Sequence, residues 1–393
     1  MNGRLDRAAI IGLVVVAASA VIYWLCDRAF DAGRGDFFYL ADAFLHGRTG
    51  LTVQLGPFDV IPRGGLFYVP FAPFPAIALM PLVALTGPAT ADHVESGINA
   101  LLAASGVGLT WWLLGRYGVR RLIDRFWLCL LFGFSTQILW VTTRGGVWHT
   151  GHLIATILTL CCLIELAGRR RAWLIGLAAG AAFLTRAPLA FAVPFYLLLL
   201  WPEGRSRGIP WRAWTALAVG VLPSIVFFFL YNQLRFGSPL ESGYALATLP
   251  DWLELQRALG LFSTAHIGMN LDYLLTHLPR PIPQAPYFRP DGLGMSVFLT
   301  SPGLLFALRA DWRDRRAWWL LGAAAVVLVP TLLYYGGGWL QYGYRYFLDS
   351  VPFVIALCGL AAVHRGGVGW AWRGLIVVGT VVMAVGVYWA YHL

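Results

Sequence analysis

The stretch Phe71-Ala72-Pro73-Phe74-Pro75-Ala76-Ile77-Ala78-Leu79-Met80-Pro81-Leu82-Val83-Ala84-Leu85 decides how this chain is threaded. It is apolar, but it is short, and Pro73, Pro75 and Pro81 interrupt helical hydrogen bonding along it. Eleven other segments read as spanning helices: roughly 8–26, 94–115, 125–142, 149–167, 172–185, 188–201, 213–232, 293–308, 317–335, 347–363 and 374–391. If the proline-rich stretch does not cross, eighteen of the 29 basic residues, all of them arginine, fall on alternate short loops. Those loops carry Arg4 and Arg7; Arg116, Arg120, Arg121 and Arg125; Arg169 to Arg171; Arg205, Arg207 and Arg212; Arg309, Arg313, Arg315 and Arg316; and Arg365 and Arg373. If it does cross, every later loop changes sides and most clusters face outward. Cytoplasmic loops collect positive charge. The stretch therefore reads as a juxtamembrane or re-entrant helix on the outer side, with a cytoplasmic N-terminus.

Of 393 residues, 59% are hydrophobic and 12% charged, with a mean hydropathy of +0.67. Soluble proteins carry about a quarter charged residues, so a water-soluble globule is excluded, as are a disordered chain, a collagen-like repeat and a disulfide scaffold. The net charge of +10 does not point to nucleic acid, because the arginines punctuate apolar stretches and do not run together between exposed aromatics. Cys26, Cys129, Cys161, Cys162 and Cys358 sit in or beside apolar segments without metal-ligand spacing, and they read as small hydrophobes. The first apolar segment lacks a small-residue cleavage site and reads as a retained span. The expected fold class is an all-α polytopic membrane protein with about eleven transmembrane helices. It forms a single domain over 1–393, without a large soluble domain.

Two long segments lie on the outer side, 27–93 and 233–292, and 13 of the 19 acidic residues fall on that side. Within them Phe37 to His46 and Trp252 to Leu261 are amphipathic and suit the membrane interface. The first segment reads Gly35-Asp36-Phe37-Phe38-Tyr39-Leu40-Ala41-Asp42-Ala43-Phe44-Leu45-His46-Gly47-Arg48. An aspartate opens a short apolar helix that ends at glycine. As structure alone, that aspartate is a helix cap.

An outer-loop Asp followed by Tyr39 and a Gly-terminated amphipathic helix resembles the GT-C superfamily of integral membrane glycosyltransferases. The pattern is most similar to the family that includes protein O-mannosyltransferases and the lipid A aminoarabinose transferase. Phe183-Leu184-Thr185-Arg186-Ala187-Pro188, Tyr231-Asn232-Gln233-Leu234-Arg235-Phe236-Gly237-Ser238-Pro239 with Gly243-Tyr244, Thr300-Ser301-Pro302-Gly303, and Gly343-Tyr344-Arg345-Tyr346 with Asp349 and Pro352 extend the similarity along the chain. Some members carry a pair of acids in the first loop. Here the partner of Asp36 is Asp31, Asp42 or Asp59, and the second-loop counterpart, Val147-Trp148-His149-Thr150, has no acid.

The resemblance implies transfer of a sugar from a polyprenyl phosphate to an acceptor hydroxyl on a lipid, glycan or protein. The implied setting is the outer, periplasmic face of a bacterial cytoplasmic membrane. Phosphate leaves readily at neutral pH, so the chemistry needs one base and fixed positive charge for the departing phosphate. Asp36 is the expected base. Arginine suits the phosphate because its fork makes bidentate, charge-assisted bonds. Arg186 follows a span of only about 14 residues from Ala172, which places it inside the membrane profile, facing protein or a wet cavity. Arg345 lies four residues before Asp349 beside Tyr342 and Tyr344; an i,i+4 ion pair is its structural alternative. Arg63 and Arg144 border glycines on the same side and complete the phosphate-binding candidates. Tyr39, Tyr342, Tyr344, Asp349, Trp148 and His149 are the substrate-binding candidates, with Trp339 or Trp148 suited to stack on a sugar. No cofactor is demanded. His149 and His152 stand one turn apart, which is compatible with a divalent metal. The competing readings are a lipid or glycan flippase and a catalytically silent GT-C-like subunit. Flippases place polar groups near the bilayer midplane, whereas the polar residues here gather at one face.

Overall fold

The computed structural model describes residues 7–26, 34–143, 145–201, 208–285 and 287–390. Arg4, Asp31, Arg144, Arg205 and Arg207 lie outside the described residues. The chain runs through α1 (Arg7–Cys26), α2 (Asp36–Leu45), a hairpin of β1 (Ile61–Arg63) and β2 (Leu66–Tyr68), α3 (Phe74–Thr86), α4 (Pro88–His93), α5 (Glu95–Arg116), α6 (Leu122–Phe134), α7 (Ile138–Thr142), α8 (Val147–Leu166) and α9 (Ala172–Phe183). A 3-10 stretch, Ala187–Ala192, leads into α10 (Val193–Leu199), then α11 (Trp211–Phe236), α12 (Asp251–Arg257) and α13 (Ile267–Leu275). A second hairpin, β3 (Arg280–Pro281) with β4 (Phe288–Arg289), precedes α14 (Val297–Thr300) and a 3-10 stretch, Pro302–Arg309. α15 (Arg315–Val326), α16 (Val329–Leu333), a 3-10 turn at Arg345–Asp349, α17 (Val351–His364) and α18 (Trp370–Ala390) complete the chain.

Each of the eleven segments expected to span contains helix. Among the described residues six helices are long and apolar enough to cross a membrane: α1, α5, α8, α11, the α15–α16 pair and α18. The others are short or broken. The segment 125–142 breaks at Ser135-Thr136-Gln137, and 293–308 keeps only four α-helical residues before Pro302 removes a donor and the chain turns 3-10. The two breaks meet: Gln137 Nε2 donates to Thr300 Oγ1 at 2.8 Å. Both groups are buried, as irregular backbone at membrane depth requires.

The tightest helix pair is α9 with α11. Gly176 and Gly180 stand one turn apart on α9 and face Gly220 and Ser224 on α11; a β-carbon at Gly176 or Gly220 would strike the backbone of the other helix. Small residues four apart let membrane helices approach this closely. A separate apolar cluster joins α2, α3 and α4 to Val147 at the start of α8. The β1–β2 hairpin turns on Gly64 and Gly65, both at positive φ (58° and 77°). That geometry strongly favours residues without a β-carbon.

Helix ends sort into two sets. At one end Trp111 Nε1 donates to Ala8 O at 3.1 Å, Asp124 accepts from Val368 N at 3.0 Å, Arg170 donates to Leu199 O at 2.6 Å and Arg121 to Gly366 O at 3.4 Å. This is the arginine-rich end. At the other end Phe74 N donates to Leu184 O at 3.0 Å, Gly146 N to Glu95 Oε2 at 2.7 Å and Arg235 Nη1 to Val69 O at 2.8 Å. The proline-rich helix α3 thus starts beside Leu184, and the chain re-enters the bundle at Glu95, on the same end. It does not cross.

A reporter fused after Gly87 is expected on the same side of the membrane as one fused after Arg48, and opposite to one fused after Arg365. Opposite signals after Arg48 and Gly87 would show that α3 crosses.

Candidate functional site

Asp36 is the first residue of α2 and is buried. Arg34 lies two residues before it, and its Nε and Nη2 reach the two carboxylate oxygens at 3.2 and 3.1 Å. Arg34 also donates to Phe58 O at 3.0 Å, approaches Asp59 at 3.9 Å and lies 5.1 Å from the Trp148 ring centre. One guanidinium therefore ties α2 to the loop before β1 and to the start of α8. Burial raises the Asp36 pKa to about 6, against the opposing pull of Arg34. Burial also raises Asp59, while Arg34, a hydrogen bond from Trp148 and Arg345 pull it back. Of the three acids expected to partner Asp36, Asp59 shares its arginine. Asp42 instead pairs with Arg48 at 3.3 Å.

Arg186 sits in the extended turn between α9 and the 3-10 stretch that follows. Its Nε donates to Asp349 Oδ1 at 2.6 Å, and its side chain keeps 17% of its surface exposed. His152 Nδ1 approaches the same oxygen at 3.7 Å. The i,i+4 pairing of Arg345 with Asp349 does not form. Asp349 turns to Arg186, and Arg345 donates to Trp339 O at 2.7 Å. The two guanidiniums lie 5.3 and 5.4 Å from the Tyr346 ring centre, so one aromatic ring carries both cations. Such contacts strengthen where water is scarce.

The structure brings Asp36, Arg186, Arg345, Asp349 and Trp148 to one end of the bundle, with Asp59 in electrostatic reach of both Arg34 and Arg345. Tyr39 is half-buried on α2. His149 is buried with Nδ1 3.0 Å from Gly145 O. Tyr344 packs edge-on against Tyr346, with its hydroxyl 3.4 Å from Asn270 Oδ1. Two candidates stand apart. Tyr342 is a core side chain stacked on Trp140, and Arg63 is an exposed hairpin residue that donates to Phe236 O at 3.2 Å. Arg144 lies outside the described residues. Among the described residues no group of three or more His, Cys, Asp or Glu side chains is arranged to hold a metal.

Three further residues order this end of the bundle, and none of them was among the expected site residues. Arg34 had no motif around it. Glu95 is buried and accepts from Gly146 N at 2.7 Å and Thr150 Oγ1 at 2.6 Å, fixing the start of α8. Arg235 is buried against Tyr231, 3.9 Å from its ring centre, and donates to Asn232 Oδ1 at 2.8 Å. A lone arginine inside an apolar helix was the available signal for the last.

This helical arrangement is shared with solved membrane-protein structures. One match is to ArnT from Cupriavidus metallidurans, in a crystal structure bound to undecaprenyl phosphate: TM-score 0.54, 17% identity, 96% of this chain and 64% of that one. The apo crystal structure of the same protein gives a TM-score of 0.51 at 16% identity over 91% of this chain and 60% of that one. The chain thus spans less than two-thirds of the length of ArnT. At this identity the likeness is one of fold. No protein-family model matches the chain, and no curated protein matches it by sequence.

Removing one partner of a buried ion pair leaves an uncompensated charge and costs about 3–5 kcal/mol. Asp349→Ala is expected to fall near the lower end of that range, because Arg186 keeps some contact with solvent. Arg186→Ala combined with Asp349→Ala should cost less than the sum of the two, measured by equilibrium unfolding of purified protein. Strict additivity would show that the pair is not coupled.

Proposed function

We propose that this protein transfers a sugar from a polyprenyl-phosphate donor to an acceptor hydroxyl, at the membrane face where Asp36 and Arg186 lie. The observation that carries the reading is the placing of a buried carboxylate and two ring-supported guanidiniums at one end of a GT-C fold. Asp36 is the base. With its pKa near 6 it is ionised at neutral pH yet retains affinity for a proton, which suits general-base work. It takes the proton of the acceptor hydroxyl as that oxygen bonds to the sugar carbon, and the donor phosphate leaves with the electron pair of the broken bond. Arg34 holds the carboxylate in place and keeps it ionised.

Arg186 commits only Nε to Asp349 among the described residues, which leaves its terminal nitrogens for an incoming phosphate. Arg345 stands on the same tyrosine and adds a second positive charge. Together they stabilise the leaving phosphate, whose charge grows in the transition state. The ArnT fold match, in which that protein holds undecaprenyl phosphate, supports a lipid-linked donor. The outer face of a bacterial cytoplasmic membrane is the proposed setting, and the arginine-rich end is the proposed cytoplasmic end. Tyr39 and Trp148, beside Asp36, are proposed to contact substrate.

The reading is tested with undecaprenyl phosphate as binding probe and with lipid-linked sugars as substrates. Asp36→Asn should abolish release of polyprenyl phosphate from the lipid-linked sugar while leaving undecaprenyl phosphate affinity largely intact. Arg186→Lys should weaken that affinity about tenfold, the worth of one charge-assisted bond. Near wild-type turnover in folded Asp36→Asn would remove the proposed base. Unchanged affinity in Arg186→Lys would remove the phosphate site.

The proton chemistry makes a separate prediction. A base must be deprotonated, so kcat/KM should rise with pH through about 6, the folded-state value for Asp36. Arg34→Gln removes the charge that lowers that value and should move the rising limb to higher pH. A limb that stays in place would assign it to another group.

A further inference from the structure

At the arginine-rich end, opposite the site described above, the ends of α5, α8 and α10 and the start of α15 line an open cavity of about 210 Å³, with Arg116 and Arg316 exposed at its rim. That is far above the ~10–15 Å³ that a single water requires. Its wall includes three arginines, Arg116, Arg170 and Arg316, together with Tyr117. We propose that this cavity is a second binding site, for a phosphate group, and that it does not depend on the glycosyl-transfer reading.

The simpler account is that these arginines cap helix carbonyls, since three helices end here and a helix C-terminus favours a cation. It covers one of the three. Arg170 donates to Leu199 O at 2.6 Å and Trp201 O at 3.3 Å. Arg316 is engaged by Asp314, its Nη2 lying 2.7 Å from Oδ2. The nearby Glu165 is taken by Arg171 at 2.9 Å. Arg116 has no hydrogen bond and no ion pair among the described residues; its guanidinium lies 5.6 Å from the Trp112 ring centre. The lining thus carries a surplus of positive charge that neither carbonyls nor acids absorb. Three guanidiniums around one cavity match the several oxygens of a phosphate.

The depth of the cavity also points to a phosphate. Trp112, Trp211 and Trp318 are exposed at this end, and Trp201 and Trp211 each pack against Trp214 with ring centres 5.6 Å apart. Tryptophan collects at the level of lipid headgroups. Basic pockets between membrane helices at that level take phospholipid headgroups. The same chemistry accepts a soluble phosphate.

The test uses the purified full chain in detergent, without undecaprenyl phosphate. It is titrated with short-chain phosphatidylglycerol, short-chain phosphatidylcholine or inorganic phosphate, with thermal unfolding as the readout. A ligand of the folded state raises the unfolding temperature with concentration. Phosphatidylglycerol should stabilise the protein and phosphatidylcholine should not. Arg116→Gln should need about tenfold more lipid for the same rise. Arg171→Gln, which alters an arginine outside the cavity, should behave as wild type. Arg116→Lys keeps the charge and should fall between, so it serves if Arg116→Gln folds poorly. Stabilisation by inorganic phosphate that is equally sensitive to Arg116 supports the site with a soluble ligand. The proposal is overturned if no anion stabilises the protein, if phosphatidylcholine does so equally, or if Arg116→Gln and Arg171→Gln shift the titration alike.

Discussion

A guanidinium that leaves water must find oxygen, and that requirement holds the site end of this protein together. Arg34 joins Asp36 to Phe58 O, Arg186 joins the α9–α10 turn to Asp349, and Arg235 joins α11 to Val69 O and Ser242 O. Each crosses between segments that are distant in sequence. None of those segments is long enough to bury a core of its own. The loops between β1 and α3 and after α11 are fixed by charge and hydrogen bonding, where helix packing alone would leave them undetermined.

The same requirement explains why the site is charged and yet ordered. Aromatic rings carry part of the burden: Tyr346 under Arg186 and Arg345, Trp148 beside Arg34, Tyr231 and Phe236 around Arg235. A ring offers a cation attraction without presenting an anion that an incoming anionic ligand would have to displace. Asp349 engages a single nitrogen of Arg186, whereas Asp36 takes two nitrogens of Arg34.

Much of this was legible in the sequence, and for identifiable reasons. Arginine clusters every second loop predicted which helix ends meet, and the chain enters and leaves the proline-rich stretch, Phe71 to Leu85, at one end of the bundle. Asp36 stood out as a carboxylate opening an apolar helix, and Arg186 as a charge too close to the start of its span. What could not be read was partnership. Arg186 and Asp349 are 163 residues apart, so local spacing favoured Arg345 as the partner of Asp349. Spacing also placed Tyr342 with the site because it neighbours Tyr344, although the backbone turns it onto Trp140. Arg34 precedes α2 without a surrounding pattern, and only the folded loop brings Phe58 and Asp59 to it.

The brevity of α9 has a consequence for the membrane itself. Its 12 residues rise about 18 Å at 1.5 Å per residue, against a hydrocarbon thickness of about 30 Å. Trp173 and Leu177 on this helix are exposed, so the mismatch is presented to lipid and is not hidden inside the bundle. Acyl chains beside that face must compress, tilt or admit headgroups to follow it. Arg186 follows the far end of this short helix. A lipid phosphate brought to that guanidinium, as the proposed function requires, would cross less hydrocarbon than at a full-length helix.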